Sequence, residues 1–340
     1  MDKFLFVIHS MRRGGAENQI VRQTNALIQS GYETHILVLD MTHFSFDTSE
    51  IDATLIKGKG IISSMFFLRK NINEYTAVIT FMYAGAIITE LSLLFKNLSC
   101  KLYHSVRVDK IDLKYELAWR LFCSRRTILF NSEVSMNNFI DKGLSLSDRS
   151  YVINNIINIR KSINRGKNIS VVAHFRPQKD YLNLFKAVRL LVHDIPDLVI
   201  NCFGDTYNQT WIEEWVRKHN LSNNILIHGV HKQIVKVYED SWLIVVPTFY
   251  EGTPNAVLEA IASGCRVLTA DIPINVKLSE SFSGISLYKT GDSENLAFCL
   301  SKLISVASIE SLSISNDLLF EEFYSSTGVI NEILKIIKKE

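Results

Sequence analysis

Short apolar runs recur along the chain, each followed by a polar or glycine-containing loop and then by a stretch with helical period. In the first half, 4–8 and 35–39 read as buried strands, and 18–29 as the helix between them, closed by Gly31. The stretch 77–95, AVITFMYAGAIITELSLLF, has nearly the length of a membrane span and carries only Glu90 as a charge. Its β-branched, aromatic start and the interruption at Gly85 favour a strand that runs into a buried helix. Residues 101–104 read as a strand end and 128–132 as a strand. Residues 117–130 mix Trp119 and Phe122 with Arg120, Arg125 and Arg126, which fits either a helix with a solvated basic face or a basic amphipathic surface for anionic lipid.

After residue 160 the pattern begins again. The polar, basic, glycine-containing stretch 160–168 is the expected linker. Strands are predicted at 169–174, 198–203, 225–228, 243–246 and 266–270, and helices at 181–193, 211–219, 294–305 and 326–339. Alternation of this kind means a parallel sheet covered on both faces. A chain of 340 residues is long for one core, so two domains are expected, 1–160 and 168–322, followed by a terminal helix, 323–340.

The chemistry concentrates in 243–270, LIVVPTFYEGTPNAVLEAIASGCRVLTA, a strand, loop, helix, strand unit. Thr253 and Pro254 form a helix start, with a hydroxyl N-cap and proline at the first helical position, and Gly264 ends the helix. The helix is apolar nearly all round except for Glu259, and a carboxylate on a buried helix must be paired or hydrogen-bonded. Glu251 lies eight residues earlier, in a loop at the carboxyl end of a strand, where ligands bind in open parallel sheets. Carboxylates accept from hydroxyls, and open backbone N–H groups at a helix start take anions. The ligand these groups suit carries both hydroxyls and phosphate, as a sugar nucleotide does. In the loop 175–180, Arg176 and Lys179 are cations suited to a diphosphate.

The run Glu251-Gly-Thr-Pro-Asn-Ala-Val-Leu-Glu259 resembles the Glu-x7-Glu signature of the retaining glycosyltransferases of family 4. Gly14-Gly15-Ala16-Glu17 after the first strand and Asn131-Ser132 after 128–130 are similar to further pieces of that family's pattern. Two places depart from it. His174 stands where arginine is expected, with Arg176 two residues on, and VINNII at 152–157 replaces the usual Asn-Gly-Ile-Asp.

The resemblance implies an α/β chain of the GT-B fold, two Rossmann-like domains facing each other across a cleft, with the C-terminal helix crossing back to the first domain. It implies transfer of a hexosyl or N-acetylhexosaminyl group, with retention, from a nucleotide-sugar, UDP-linked, to a hydroxyl of a glycan or lipid-linked acceptor in bacterial surface polysaccharide synthesis. His104, Lys179 and Glu251 are then the expected catalytic residues. Gly15, Arg176, Lys179, Val230, Glu251, Gly252, Thr253, Pro254, Asn255, Ala256, Val257 and Glu259 are expected on the donor, and Arg12, Arg13, Gly14 and Glu17 on the acceptor. A non-catalytic GT-B protein that binds a sugar nucleotide or a partner subunit is the alternative, marked by loss of Glu251 or Lys179; both are present.

Composition narrows the field. Net charge is +2 with charges spread along the chain, so no nucleic-acid partner is expected. The five cysteines lack C-x-x-C spacing and read as reduced thiols of a cytoplasmic protein, with room for peripheral contact at the inner face of the plasma membrane. Asp40 after the second strand invites a dinucleotide site, but the first loop has adjacent glycines rather than G-x-G-x-x-G. The chain contains no Asp-x-Asp, and His228 and His231 have no nearby cysteine or acid cluster, so no metal and no cofactor are expected.

Overall fold

The computed structural model describes residues 2–12, 14–42, 44–108, 111–157, 166–207, 209–231, 233–306 and 314–339. The chain forms two compact units, residues 1–156 with 321–340, and residues 157–320. Most of the expected linker 160–168 lies outside the described residues.

In the first unit the order is β1 (Lys3–Ile8), α1 (Gly15–Gln29), β2 (Glu33–Val38), β3 (Thr54–Lys57), α2 (Ile61–Asn71), β4 (Ala77–Phe81), α3 (Met82–Ser92), β5 (Lys101–Val106), α4 (Leu113–Phe122), β6 (Thr127–Phe130), α5 (Glu133–Asp141) and β7 (Ser150–Val152). The strands form one parallel sheet in the order β3-β2-β1-β4-β5-β6-β7. Along β1 successive side chains alternate between the two faces, as strand geometry requires. Phe4, Phe6 and Ile8 join the core that holds Ile20 and Leu27 of α1, whereas Leu5 and Val7 pack with Leu68 of α2 and Val78 of β4.

The stretch 77–95 is a buried strand and an 11-residue helix, and no helix among the described residues is long and apolar enough to cross a membrane. β4 passes directly into α3, whose first residue, Met82, lies in the left-handed region at φ 64°. Gly85 then lets α3 approach β1, because a Cβ there would lie 3.3 Å from the Val7 carbonyl oxygen.

The second unit runs β8 (Asn168–Val172), α6 (Tyr181–Leu191), β9 (Ile200–Phe203), α7 (Thr210–Lys218), β10 (Ile225–Gly229), α8 (Ile234–Glu239), β11 (Ser241–Val246), α9 (Asn255–Ala262), β12 (Arg266–Ala270), α10 (Pro273–Ser281), β13 (Ile285–Tyr288), α11 (Ser293–Ser305) and α12 (Ile314–Phe323), whose last residues, from Glu321, are assigned to the first unit. Its parallel sheet has the order β10-β9-β8-β11-β12-β13. The last helix, α13 (Ser326–Lys339), belongs to the first unit. Val329, Ile330, Ile333, Ile336 and Ile337 form one stripe on it and enter the core with Phe4 and Leu27. The terminal helix thus returns to the domain where the chain began.

Candidate active site

β8 and β11 are neighbours in the second sheet, and from them the strand order proceeds in opposite directions. Such a reversal leaves a crevice beyond the carboxyl ends of the two strands, the usual ligand position in this architecture. The loop after β8 carries Lys179, and the loop after β11 carries Glu251. The Lys179 ammonium contacts Glu251 Oε1 directly, with the side chains only 17% and 10% exposed, so solvent screens this pair weakly.

Other groups tie the two loops together. Thr248 Oγ1 lies 3.2 Å from Glu251 Oε1, and Gln178 Nε2 lies 3.4 Å from Oε2 while donating to the Tyr250 carbonyl at 2.7 Å. The Phe249 N–H donates to the Gln178 carbonyl at 3.0 Å. Gln178 and Thr248 are absent from the residues picked out in the sequence, although each adjoins or nearly adjoins one that is.

Arg176 and His174 do not join this cluster. The Arg176 guanidinium donates to Tyr207 Oη at 2.8 and 3.1 Å and lies over that ring. His174 Nδ1 accepts from the Asp205 N–H at 3.0 Å, which leaves the proton of the neutral ring on Nε2. Burial, and after it the Arg176 charge, hold the imidazole below its ordinary pKa. The loops meet here at close range, since a Cβ on Gly204 would lie 2.0 Å from the Ala173 carbonyl oxygen. His174 therefore braces the loop backbone.

The helix after Glu251 differs from the expected one in three ways. It begins at Asn255 with Pro254 preceding it and without a side-chain cap bond. Val257, Leu258, Ala260, Ile261 and Ala262 are buried, whereas Asn255, Ala256 and Glu259 form a half-exposed stripe, so Glu259 is not a carboxylate in the interior. Its Oε2 accepts from Tyr238 Oη at 3.1 Å, a partner that nothing in the sequence signals. The Asn255 and Val257 N–H groups are bonded to the Thr253 and Pro254 carbonyls, whereas the Ala256 N–H has no partner among the described residues. Gly252 is half-exposed in the loop just before. On the β10 side, Val230 is 60% exposed, while the rings of His228 and His231 both lean on Phe203.

In the first unit, Gly14 precedes α1, whose first residue is Gly15. Glu17 turns its carboxylate back toward the helix start, where its Oε2 would lie 2.8 Å from a Cβ on Gly14. A carboxylate favoured there by the helix dipole makes that end better suited to a hydroxyl than to phosphate. Arg12 is exposed, and Arg13 lies outside the described residues.

His104 is not at a crevice edge. β5 continues two residues beyond it, and the imidazole is fully buried, 2.8 Å from Thr80 Oγ1 and 3.1 Å from Glu90 Oε1. Arg126 donates to both oxygens of the same carboxylate, at 2.7 and 3.1 Å. Burial raises the Glu90 pKa, but the His104 and Arg126 hydrogen bonds outweigh it and hold the group below its ordinary value. A depressed folded pKa stabilises the fold above the unfolded carboxylate's value, and that contribution is lost as pH falls through the folded one. His104→Ala should destabilise the protein by about 1–3 kcal/mol, since it removes one partner of a buried carboxylate. Urea denaturation measures it; an unchanged midpoint would return His104 to the list of free functional groups.

Of the two readings of 117–130, a helix followed by a strand is what forms, as α4 and β6, and part of its basic charge is paired. Trp119 is fully buried with Nε1 donating to the Leu144 carbonyl at 2.8 Å, Arg120 pairs with Glu116 at 2.9 Å, and Arg126 is held by Glu90. Beside the exposed Lys114 and Arg120, α4 turns outward Leu113, Leu117 and Leu121, 87%, 69% and 67% exposed.

Residues 153–310 match the family described as Glycosyl transferases group 1. A poly(glycerol-phosphate) alpha-glucosyltransferase of Bacillus subtilis (strain 168) is 25% identical over 101 residues, 30% of this chain, and the matched stretch spans only 15% of that relative's length. Among solved structures, Anabaena Alr3699/HepE in complex with UDP superposes with a TM-score of 0.82 at 15% identity, over 99% of this chain and 100% of that one. The lipopolysaccharide outer core galactosyltransferase WaaB gives 0.75 at 13% identity, over 99% and 100%. The chain thus has the GT-B fold of the glycosyltransferases, and its group 1 match lies almost wholly on the unit that carries the Lys179–Glu251 pair.

Proposed function

We propose that the protein is a retaining glycosyltransferase that moves a hexosyl or N-acetylhexosaminyl group from a UDP-linked donor to a hydroxyl of a glycan or lipid-linked acceptor in bacterial surface polysaccharide synthesis. The observation that carries this reading is the poorly solvated Lys179–Glu251 pair at the β8/β11 reversal. A relative named for poly(glycerol-phosphate), a fold neighbour named for the lipopolysaccharide outer core, and another fold neighbour that holds UDP support it.

In the transfer, the bond from the anomeric carbon to the diphosphate oxygen breaks and the diphosphate leaves with the electron pair. The acceptor hydroxyl oxygen bonds to that carbon, and its proton passes to the departing diphosphate. Lys179 stabilises the charge that grows on the leaving oxygens, helped by the Ala256 N–H at the start of α9. Glu251 accepts from sugar hydroxyls and Glu259 from the ribose. Arg176 meets the diphosphate only by leaving Tyr207. With protein cations in this role, the reaction needs no divalent metal. The exposed leucines of α4, with Lys114 and Arg125 on and just after the same helix, supply the peripheral membrane contact, and free thiols at all five cysteines fit a cytoplasmic site.

Calorimetry with UDP, and turnover of UDP-sugars in excess chelator, test this reading. The wild type should bind UDP, and Glu259→Gln should weaken binding by roughly 1.5–3 kcal/mol through loss of a charged acceptor. Equal affinity in a folded variant would remove Glu259 from the ribose. Failure of the wild type to bind any nucleoside diphosphate would sink the function, and activity restored only by magnesium or manganese would end metal independence.

A further inference from the structure

Arg107 follows the carboxyl end of β5, between the ends of β4 and β7, a position left unmarked by the sequence. Its Nε donates to Ser105 Oγ at 2.9 Å, and its Nη1 to Asn155 Oδ1 at 2.6 Å and to the Ile153 carbonyl at 3.3 Å. The guanidinium carbon lies 5.3 Å from the centre of the Phe81 ring. A guanidinium has five N–H groups, and these bonds use three of them. Both hydrogens of Nη2 are left without a partner among the described residues.

All three acceptors are neutral. Arg126, in the same unit, shows the contrasting case, with two bonds to the Glu90 carboxylate. No carboxylate among the described residues pairs with Arg107, and burial alone pulls its pKa down, to about 9, so the group is still a cation at neutral pH. A poorly solvated charge without a counter-ion is costly, and a brace between β5 and the 153–155 loop needs only a neutral donor. The arrangement fixes the fork from one side and leaves its other edge open at the end of the sheet where ligands bind.

We infer that Arg107 is an anion-binding residue that takes a phosphate group of the acceptor through both hydrogens of Nη2. The inference rests on the proposed function for the role of the first unit. The phosphate belongs either to a polyol phosphate or to a lipid diphosphate carrier, and both have the same chemistry at the guanidinium.

The test is calorimetry on the full chain with UDP saturating, so that the cations of the second unit are occupied. sn-Glycerol 3-phosphate stands for the polyol phosphate, farnesyl diphosphate for the lipid carrier, and glycerol for a neutral hydroxyl. The wild type should bind at least one phosphate compound and prefer it to glycerol, and which one it prefers tells the source. Arg107→Gln should weaken that binding about tenfold or more, with Arg107→Lys retaining part of it. UDP affinity should stay at the wild-type value in both variants.

Equal phosphate binding in Arg107→Gln, or no preference over glycerol in the wild type, overturns the assignment. So does a Gln variant in which melting temperature, UDP affinity and phosphate affinity all fall together, because that is the mark of a brace. If the wild type does not bind UDP, the donor reading fails. The phosphate titrations repeated without UDP then still compare wild type with Arg107→Gln.

Discussion

Lys179→Ala should lower kcat by about 100-fold or more, with a smaller change in donor KM. The argument concerns where charge develops. As the glycosidic bond breaks, negative charge accumulates on the diphosphate, so a cation beside it stabilises the transition state more than the bound donor. The ammonium rests on Glu251, and a donor phosphate must compete with that carboxylate for it, which further limits what Lys179 adds to ground-state binding. Lys179→Arg should rescue only in part, because a planar fork does not occupy the ammonium's position. Arg176→Ala should cost less, since that guanidinium rests on Tyr207. Steady-state kinetics with the preferred UDP-sugar decide the matter: a rise in KM alone would withdraw the leaving-group role from Lys179.

Glu251→Ala should reduce turnover to a similar degree while leaving UDP affinity near wild type, because its proposed partner is the sugar. Thr248, Gln178 and Lys179 all converge on this carboxylate, so removing it also frees Lys179 from a fixed position. Loss of the pair as a unit predicts strong non-additivity, with the Lys179→Ala, Glu251→Ala double variant little slower than either single one. A double variant whose loss equals the product of the single losses would mean that the two groups act independently. A Glu251→Ala enzyme with wild-type kcat would place the sugar elsewhere.

Much of the fold is legible because strand and helix periods are local properties of the backbone. The runs at 4–8, 77–81 and 243–246 are buried on both faces and announce central strands of parallel sheets. What local reading missed is peripheral. β3, a four-residue strand at the edge of its sheet, has no fully buried position, and α2 leaves Ile62 and Phe66 more than two-thirds exposed, so neither shows the expected contrast of apolar and polar faces. β5 runs two residues past the strand end expected at 104, enough to exchange a buried His104 for Arg107 at the strand end.

The sequence by itself determined the two β/α series, the reversal-prone loops after the apolar runs, and the eight-residue interval between Glu251 and Glu259, all of which depend on neighbours within a few turns. Tertiary structure decided which side chains meet. Lys179 reaches Glu251 across 72 positions because β8 lies beside β11, and Arg107 reaches Asn155 across 48 because β5, β6 and β7 are adjacent in that order. It also decided that Arg176 rests on Tyr207 and that Glu259 sits on a half-exposed stripe beside Tyr238. Strand order and side-chain direction are set by the packing of whole layers, and each strand's own pattern is compatible with several neighbours, so no single stretch of the chain encodes these contacts.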